Sequence, residues 1–211
     1  MEQYIKELLK ELEQSKKVKV LFAVESGSRA WNLHSLDSDY DVRFVFVRSL
    51  KQYLSLSPKD DVINIQDVGK GLDIVGFDIL KFARLVRSSN PNCICWLQSD
   101  IIYYGEEARK RFKPFEAFFN PKALFWHSKS MCKENYLKYL KSGALVTYKK
   151  YLYAMRGLLN AKWVQHYMTL PPMDFLVCVE TLAKDRYIPD YIADSLKEII
   201  RLKKDGKEKD I

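Results

Sequence analysis

Two short apolar stretches, residues 18–24 and 40–47, bracket a polar loop that begins with Gly27-Ser28 and ends in Asp39-Tyr40-Asp41. Runs of β-branched and aromatic residues bounded by Gly, Ser, Asn and Asp read as strands, and the first, apolar almost throughout, reads as a central one. In the second, alternation along a strand puts Tyr40, Val42, Phe44 and Phe46 on one face and Asp39, Asp41, Arg43 and Val45 on the other. The core and the acids are therefore expected on opposite faces, with Asp39 and Asp41 aimed at one shared site. Such a chain is constrained to gather a turn and a carboxylate pair at one end of a sheet.

Residues 2–14 carry Ile5, Leu8, Leu9 and Leu12 at the spacing of one helical stripe. Residues 29–33 predict a brief helix after the turn, and residues 49–57 a helix stopped by Pro58. Residues 61–66 and 71–77 predict two more strands around Gly69, residues 78–90 a helix ended by Asn90-Pro91, and residues 101–104 a short strand. Beyond Gly105 the pattern is helical. Breaks fall at Lys113-Pro114, Asn120-Pro121, Ser142-Gly143, Pro171-Pro172 and Pro189, the long segments are 122–141 and 144–167, and residues 203–210 read as a solvated charged tail. The expected fold class is α+β: a small mixed β-sheet lobe with flanking helices over residues 1–104, followed by an all-helical C-terminal lobe over residues 105–211.

With 211 residues, 47% hydrophobic and 29% charged, the composition is that of a globular chain able to bury a core, which excludes a disordered one. Lys and Arg outnumber Asp and Glu by 35 to 27, a net charge of +8 that biases the surface toward polyanions such as nucleotides or RNA. No apolar run approaches the ~18 residues of a membrane span, so no membrane partner is expected, and the amphipathic, charged residues 1–15 are not expected to act as a secretory signal. Cys93, Cys95, Cys132 and Cys178 lack zinc-ligand spacing and read as ordinary thiols. A cytoplasmic location is the expectation.

The chemistry follows from residue type. Phosphoryl and nucleotidyl transfer leaves little covalent work for a protein, so such sites hold cations that neutralise charge and align the attacking and leaving oxygens. Magnesium takes oxygen ligands from one or two carboxylates together with phosphates and water, which Asp39 and Asp41 can supply. Glycine at position 27 lets backbone approach a phosphate, Ser28 offers a hydroxyl beside free amides, and Arg29 adds a cationic clamp. Arg43 shares the face of the acids and either pairs with Asp41 or touches phosphate. His34, His127 and His166 stand apart from any nucleophile or ligand partner and read as structural, as do Trp31 and Tyr40.

Gly27-Ser28 with Asp39-Tyr40-Asp41 resembles the signature of the DNA polymerase beta-like nucleotidyltransferase superfamily. More narrowly, Glu25 to Trp31, Ser38 to Arg43, Asp73 to Asp78, Ser89-Asn90-Pro91, Trp96-Leu97, Lys149 to Tyr153 and Pro171-Pro172 resemble the predicted nucleotidyltransferases of the RNA repair pathway DNA polymerase beta family, across nearly the whole chain. The resemblance implies a two-metal mechanism with Mg2+ or Mn2+. Asp39 and Asp41 would bind both metals, and a third carboxylate would hold the metal that activates the acceptor hydroxyl. Asp73 and Asp78 are the candidates; being five apart they face opposite sides of a strand, so only one can join. Residues 72–78 are similar to the corresponding stretch of the oligoadenylate synthetases, where the earlier acid is the ligand, which favours Asp73, with Asp78 as helix cap or alternative ligand. Gly27 and Ser28 would contact the β and γ phosphates of the incoming nucleoside triphosphate, and pyrophosphate would leave. Lys149, Lys150, Tyr153 and Arg156, at near-helical spacing, offer a basic face with an aromatic for a triphosphate or a nucleic-acid backbone, while Leu152, Met155, Leu158 and Leu159 are expected in the core.

The reading is a metal-dependent nucleotidyltransferase that moves a nucleoside monophosphate from a triphosphate to an acceptor hydroxyl, with RNA or tRNA as leading acceptor. Transfer to a protein or small-molecule hydroxyl keeps the chemistry and changes the acceptor. A non-catalytic nucleotide- or RNA-binding module is the third reading, against which stand the intact Ser28, Asp39 and Asp41. Nothing in the residues specifies the base, the acceptor end or the oligomeric state.

Overall fold

The computed structural model describes residues 1–57, 59–141 and 146–206, and the chain divides by its contacts into two compact units, residues 1–30 with 39–118 and residues 31–38 with 119–211. It is an α+β protein. The first unit is built on five strands, β1 (Val18–Glu25), β2 (Tyr40–Arg48), β3 (Val62–Asp67), β4 (Leu72–Asp78) and β5 (Ile102–Tyr104), in the order β3-β4-β2-β1-β5. β2 runs parallel to β4, and the other neighbours are antiparallel.

One sheet face is covered by α1 (Glu2–Lys16), whose Ile5, Leu9 and Leu12 meet Val42, Phe44 and Phe46. Each of these buried side chains contributes about 1.5–3 kcal/mol of transfer free energy. The opposite face is packed as well. Phe22, Val24 and Val45 join Phe82, Val86, Cys93, Trp96 and Leu97 of two helices, α4 (Ile79–Arg87) and α5 (Pro91–Gln98). The expectation that core and acids occupy opposite faces therefore holds only at the start of β2; from Val45 onward the acid face is core too.

β1 supplies both faces through an irregularity. Its register against β2 shifts between Val20 and Phe22, so that Val18 and Val20 point with Ala23 toward α1, while Phe22 and Val24 point toward α4 and α5. An extra residue in one strand swaps the parity of every side chain beyond it. Glu25, two residues past Ala23, is thereby aimed at the α1 side.

Several boundaries differ from the sequence expectations. The turn helix α2 is Gly27–Ala30 rather than residues 29–33, and only Leu50–Tyr53 (α3) of the stretch before Pro58 is helical. Asn90-Pro91 starts a helix instead of merely ending one: the Asn90 side chain accepts from the amides of Asn92 and Cys93, and Pro91 takes the first turn, where its missing N–H costs nothing. α6 (Glu106–Phe112) and the turn after it stay with the sheet unit, Phe112 packing on Phe22 and Phe82.

The second unit holds α7 (Pro121–Asn135), α8 (Tyr148–Tyr167), α9 (Phe175–Lys184) and α10 (Asp190–Lys204). α7 continues into a π-helical turn at Tyr136–Leu140, and the expected long segment 144–167 begins, within the described residues, at α8. Leu152 and Leu159 are buried as expected, but Leu158 is exposed. The expected tail is partly core: Lys203 is buried and its ammonium donates to the Leu33 carbonyl at 2.6 Å, while residues 207–211 lie outside the described residues. Among the described residues no helix is long and apolar enough to cross a membrane.

Candidate active site

The parallel pairing of β2 with β4 places Asp41 directly beside Asp73. Both side chains are partly exposed, and between them lies the guanidinium of Arg43, whose Nη2 donates to Asp41 Oδ1 at 3.1 Å and to Asp73 Oδ2 at 2.8 Å. Its Nη1 donates to the backbone carbonyls of Val42 and Asp73 at 3.1 and 2.9 Å. Asp73 Oδ1 is buried and has no hydrogen-bond partner.

The Gly27-Ser28 turn closes over Asp41. Gly27 adopts φ +61°, and a Cβ there would stand 1.9 Å from Asp41 Oδ2, so the carboxylate lies against the bare Cα. The amide of Ser26 donates to the Asp41 carbonyl at 2.8 Å, and Ser28 is buried. Asp39 precedes β2 and is exposed; its Oδ1 lies beside Gly71, where a Cβ would stand 3.0 Å from it. Arg29 is engaged locally, its Nε donating to the Asp39 carbonyl at 3.1 Å and its guanidinium stacking 3.8 Å from the Tyr40 ring centroid.

Beneath Asp41 sits a group to which the sequence assigned no role. Glu25 is 1% exposed, accepts from the Asp41 amide at 2.8 Å and takes a short hydrogen bond from the Tyr103 hydroxyl. Burial pushes its carboxyl up to about 7, against the two hydrogen bonds that favour the ionised form. Tyr103 is raised as well, first by burial and then by the Glu25 charge. The signal was a lone carboxylate closing an apolar strand, but its partner becomes visible only through the pairing of β1 with β5.

Asp78 stands at the other end of β4, buried, accepting from the Leu80 amide at 2.9 Å and from the Tyr53 hydroxyl at 2.8 Å as the cap of α4. Lys149, Lys150, Tyr153 and Arg156 belong to the second unit. There Arg156 stacks 3.7 Å above the Trp31 ring, Tyr153 meets that ring edge-on at 5.6 Å, and Lys150 lies 5.4 Å from the Tyr139 centroid. Trp31 is thus half-buried under a cation, and His166 stacks on Tyr187 at 3.7 Å.

Among the described residues, no group of three or more His, Cys, Asp or Glu side chains stands ready as a metal cluster. The pair Asp41 and Asp73 nevertheless fits a hard divalent cation. The donors are carboxylate oxygens, and one of them, Asp73 Oδ1, is buried with its lone pairs uncommitted.

A carboxylate pair on parallel strands, held under a glycine turn, has the build of a polymerase beta-like nucleotidyltransferase. The chain belongs to the RNA repair pathway DNA polymerase beta family, whose profile it matches over residues 1–211. A protein of Bacillus subtilis (strain 168), described as "Uncharacterized protein YcgL", is 40% identical over 216 residues, spanning 100% of this chain and 80% of that protein. The crystal structure of a nucleotidyltransferase-like protein from Exiguobacterium sibiricum 255-15, at 1.90 Å resolution, superposes with a TM-score of 0.37 at 12% identity, covering 98% of this chain and 73% of that one.

Proposed function

We propose that this protein is a metal-dependent nucleotidyltransferase that transfers a nucleoside monophosphate from a nucleoside triphosphate to an acceptor hydroxyl, with RNA, including tRNA, as the acceptor. The observation that carries the reading is the side-by-side placement of Asp41 and Asp73 beneath the Gly27-Ser28 turn. In this reading Asp41 and Asp73 hold a divalent cation, Mg2+ or Mn2+, and Asp39 joins them from the exposed position just before β2. The cation would supply neutralisation of phosphate charge and alignment of the attacking and leaving oxygens.

The chain's own residues do the rest. The Gly27 amide and the Ser28 hydroxyl receive the β and γ phosphates, while the bare Gly27 Cα leaves room for the Asp41 carboxylate. Arg29, tied to the Asp39 carbonyl, keeps the turn and the acidic strand in step. Glu25 fixes the Asp41 backbone amide and with it the direction of the Asp41 side chain. The acceptor hydroxyl gives up its proton to solvent as its oxygen attacks the α-phosphorus, and the bond from that phosphorus to the oxygen bridging to the β-phosphate breaks, releasing pyrophosphate. The second unit offers Lys149 and Lys150 to the backbone of an RNA acceptor, with Tyr153 and Arg156 braced on Trp31. The net charge of +8 and the family's description support RNA over a cationic small molecule.

Calorimetry with the four ribonucleoside triphosphates, in the presence and absence of Mg2+, tests the reading on the native protein and on an Asp39→Ala, Asp41→Ala variant. Expected is metal-dependent binding of at least one triphosphate that the variant loses. Labelled transfer to RNA, protein and small hydroxyl acceptors then identifies the acceptor. Absence of any triphosphate binding with either Mg2+ or Mn2+ refutes the proposal.

A further inference from the structure

We infer that Arg43 is the built-in counter-cation of the Asp41–Asp73 pair, holding both carboxylates in place and being displaced from them when a divalent cation binds. This rests on the nucleotidyltransferase reading and adds to it a residue that competes with the metal.

Two carboxylates at adjacent positions of neighbouring parallel strands repel unless a cation lies between them. Arg43 is placed two residues along β2 on the same face, and its planar fork reaches back to both. One nitrogen is shared between the two acids at 3.1 and 2.8 Å, and the other is anchored on two backbone carbonyls. The Arg43 side chain is 18% exposed and its partners Asp41 and Asp73 25% and 31%, so solvent and salt screen the bridge less than they screen a fully exposed surface pair.

The same geometry makes the guanidinium a competitor. A divalent cation that uses Asp41 Oδ1 or Asp73 Oδ2 takes lone pairs now given to Nη2, and Asp41 Oδ2 is turned against the Gly27 Cα. Asp73 Oδ1, buried and without a hydrogen-bond partner, is a further donor that the cation can take up once the guanidinium has moved aside. Arg43 then holds a formal positive charge beside the loaded site, free of its carboxylates and available to a phosphate.

The test is a Mn2+ titration, by electron paramagnetic resonance or calorimetry, of the native protein, Arg43→Gln and Arg43→Lys, with thermal unfolding of each in chelator and in Mn2+. A neighbouring charge shifts the ionic equilibria of a group by about one to three powers of ten, so Arg43→Gln is expected to bind Mn2+ at least about tenfold more tightly than the native chain. In chelator Arg43→Gln is expected to unfold at lower temperature, and Mn2+ to restore it by more than it raises the native protein. Arg43→Lys keeps the charge but loses the fork, and is expected to fall between the two in affinity; it carries the test alone should Arg43→Gln not fold. If the native chain binds Mn2+ and both variants bind equally or less tightly, the competition is refuted while the nucleotidyltransferase reading stands. If no form binds Mn2+, both fall together.

Discussion

Replacing Gly27 by Ala isolates the contact on which the site depends. Gly27 has φ +61°, and the new Cβ would stand 1.9 Å from Asp41 Oδ2, 2.7 Å from its Cγ and 3.2 Å from its Cβ. The left-handed conformation alone costs a side-chain-bearing residue about 1–2 kcal/mol. Because Cγ is also too close, Asp41 cannot yield by turning its carboxylate in place; it must leave its rotamer and loosen the Arg43 bond, adding roughly 1–2 kcal/mol. Gly71→Ala supplies the control. Its φ is +59°, so the backbone cost is matched, but its Cβ meets only the exposed Asp39 Oδ1 at 3.0 Å, with the next atom at 3.9 Å. Urea denaturation at pH 7 is expected to give about 2–4 kcal/mol of destabilisation for Gly27→Ala and about 1–2 for Gly71→Ala. Calorimetry is expected to show metal-dependent triphosphate binding lost in the first and kept in the second. Equal destabilisation by the two substitutions would refute the claim that the turn is fitted to Asp41.

Glu25→Gln tests the buried carboxylate by pH. Its folded-state value stands at about 7 against an ordinary 4.5, so the native state binds a proton more tightly than the unfolded chain and loses stability as pH rises from 4.5 through about 7. The shift corresponds to a penalty of at most about 3 kcal/mol, absent below that window and complete above it. Glutamine can still accept from the Asp41 amide and donate to the Tyr103 hydroxyl, so the stability of the variant relative to native is expected to climb across this window in urea titrations; a flat difference rejects the assignment. Asp78→Ala removes a helix cap and a partner of Tyr53, an expected loss of about 1–2 kcal/mol with triphosphate binding retained. Asp73→Asn is expected to fold and to lose binding; the reverse pattern would make Asp78 the third carboxylate.

Much of the fold was legible because its signals are local. The stripe of Ile5, Leu9 and Leu12 and the alternation of Val42, Phe44 and Phe46 each follow from the period of one element, and both lie buried where that period puts them. Asn90-Pro91 misled because an N-cap and a helix stop use the same residues. Leu158 fits a helical apolar stripe, but only the packing of α8 against its neighbours decides which edge of that stripe meets solvent.

From the sequence alone came the Gly-Ser turn, the acids at positions 39 and 41, and the family they resemble, since these rest on residue order and strand parity. The tertiary structure decided what lies opposite what. Asp41 meets Asp73 only because β2 and β4 run parallel in that register, across 32 residues of chain. Glu25 reaches Tyr103 because a shifted register in β1 turns its last residues over and β5 arrives alongside. Arg43, legible as a neighbour of the acids, became the bridge between them only once both strands were in place. Pairing register is set by the hydrophobic faces of whole strands and by the turns that join them, a property of the assembled sheet that no single segment carries.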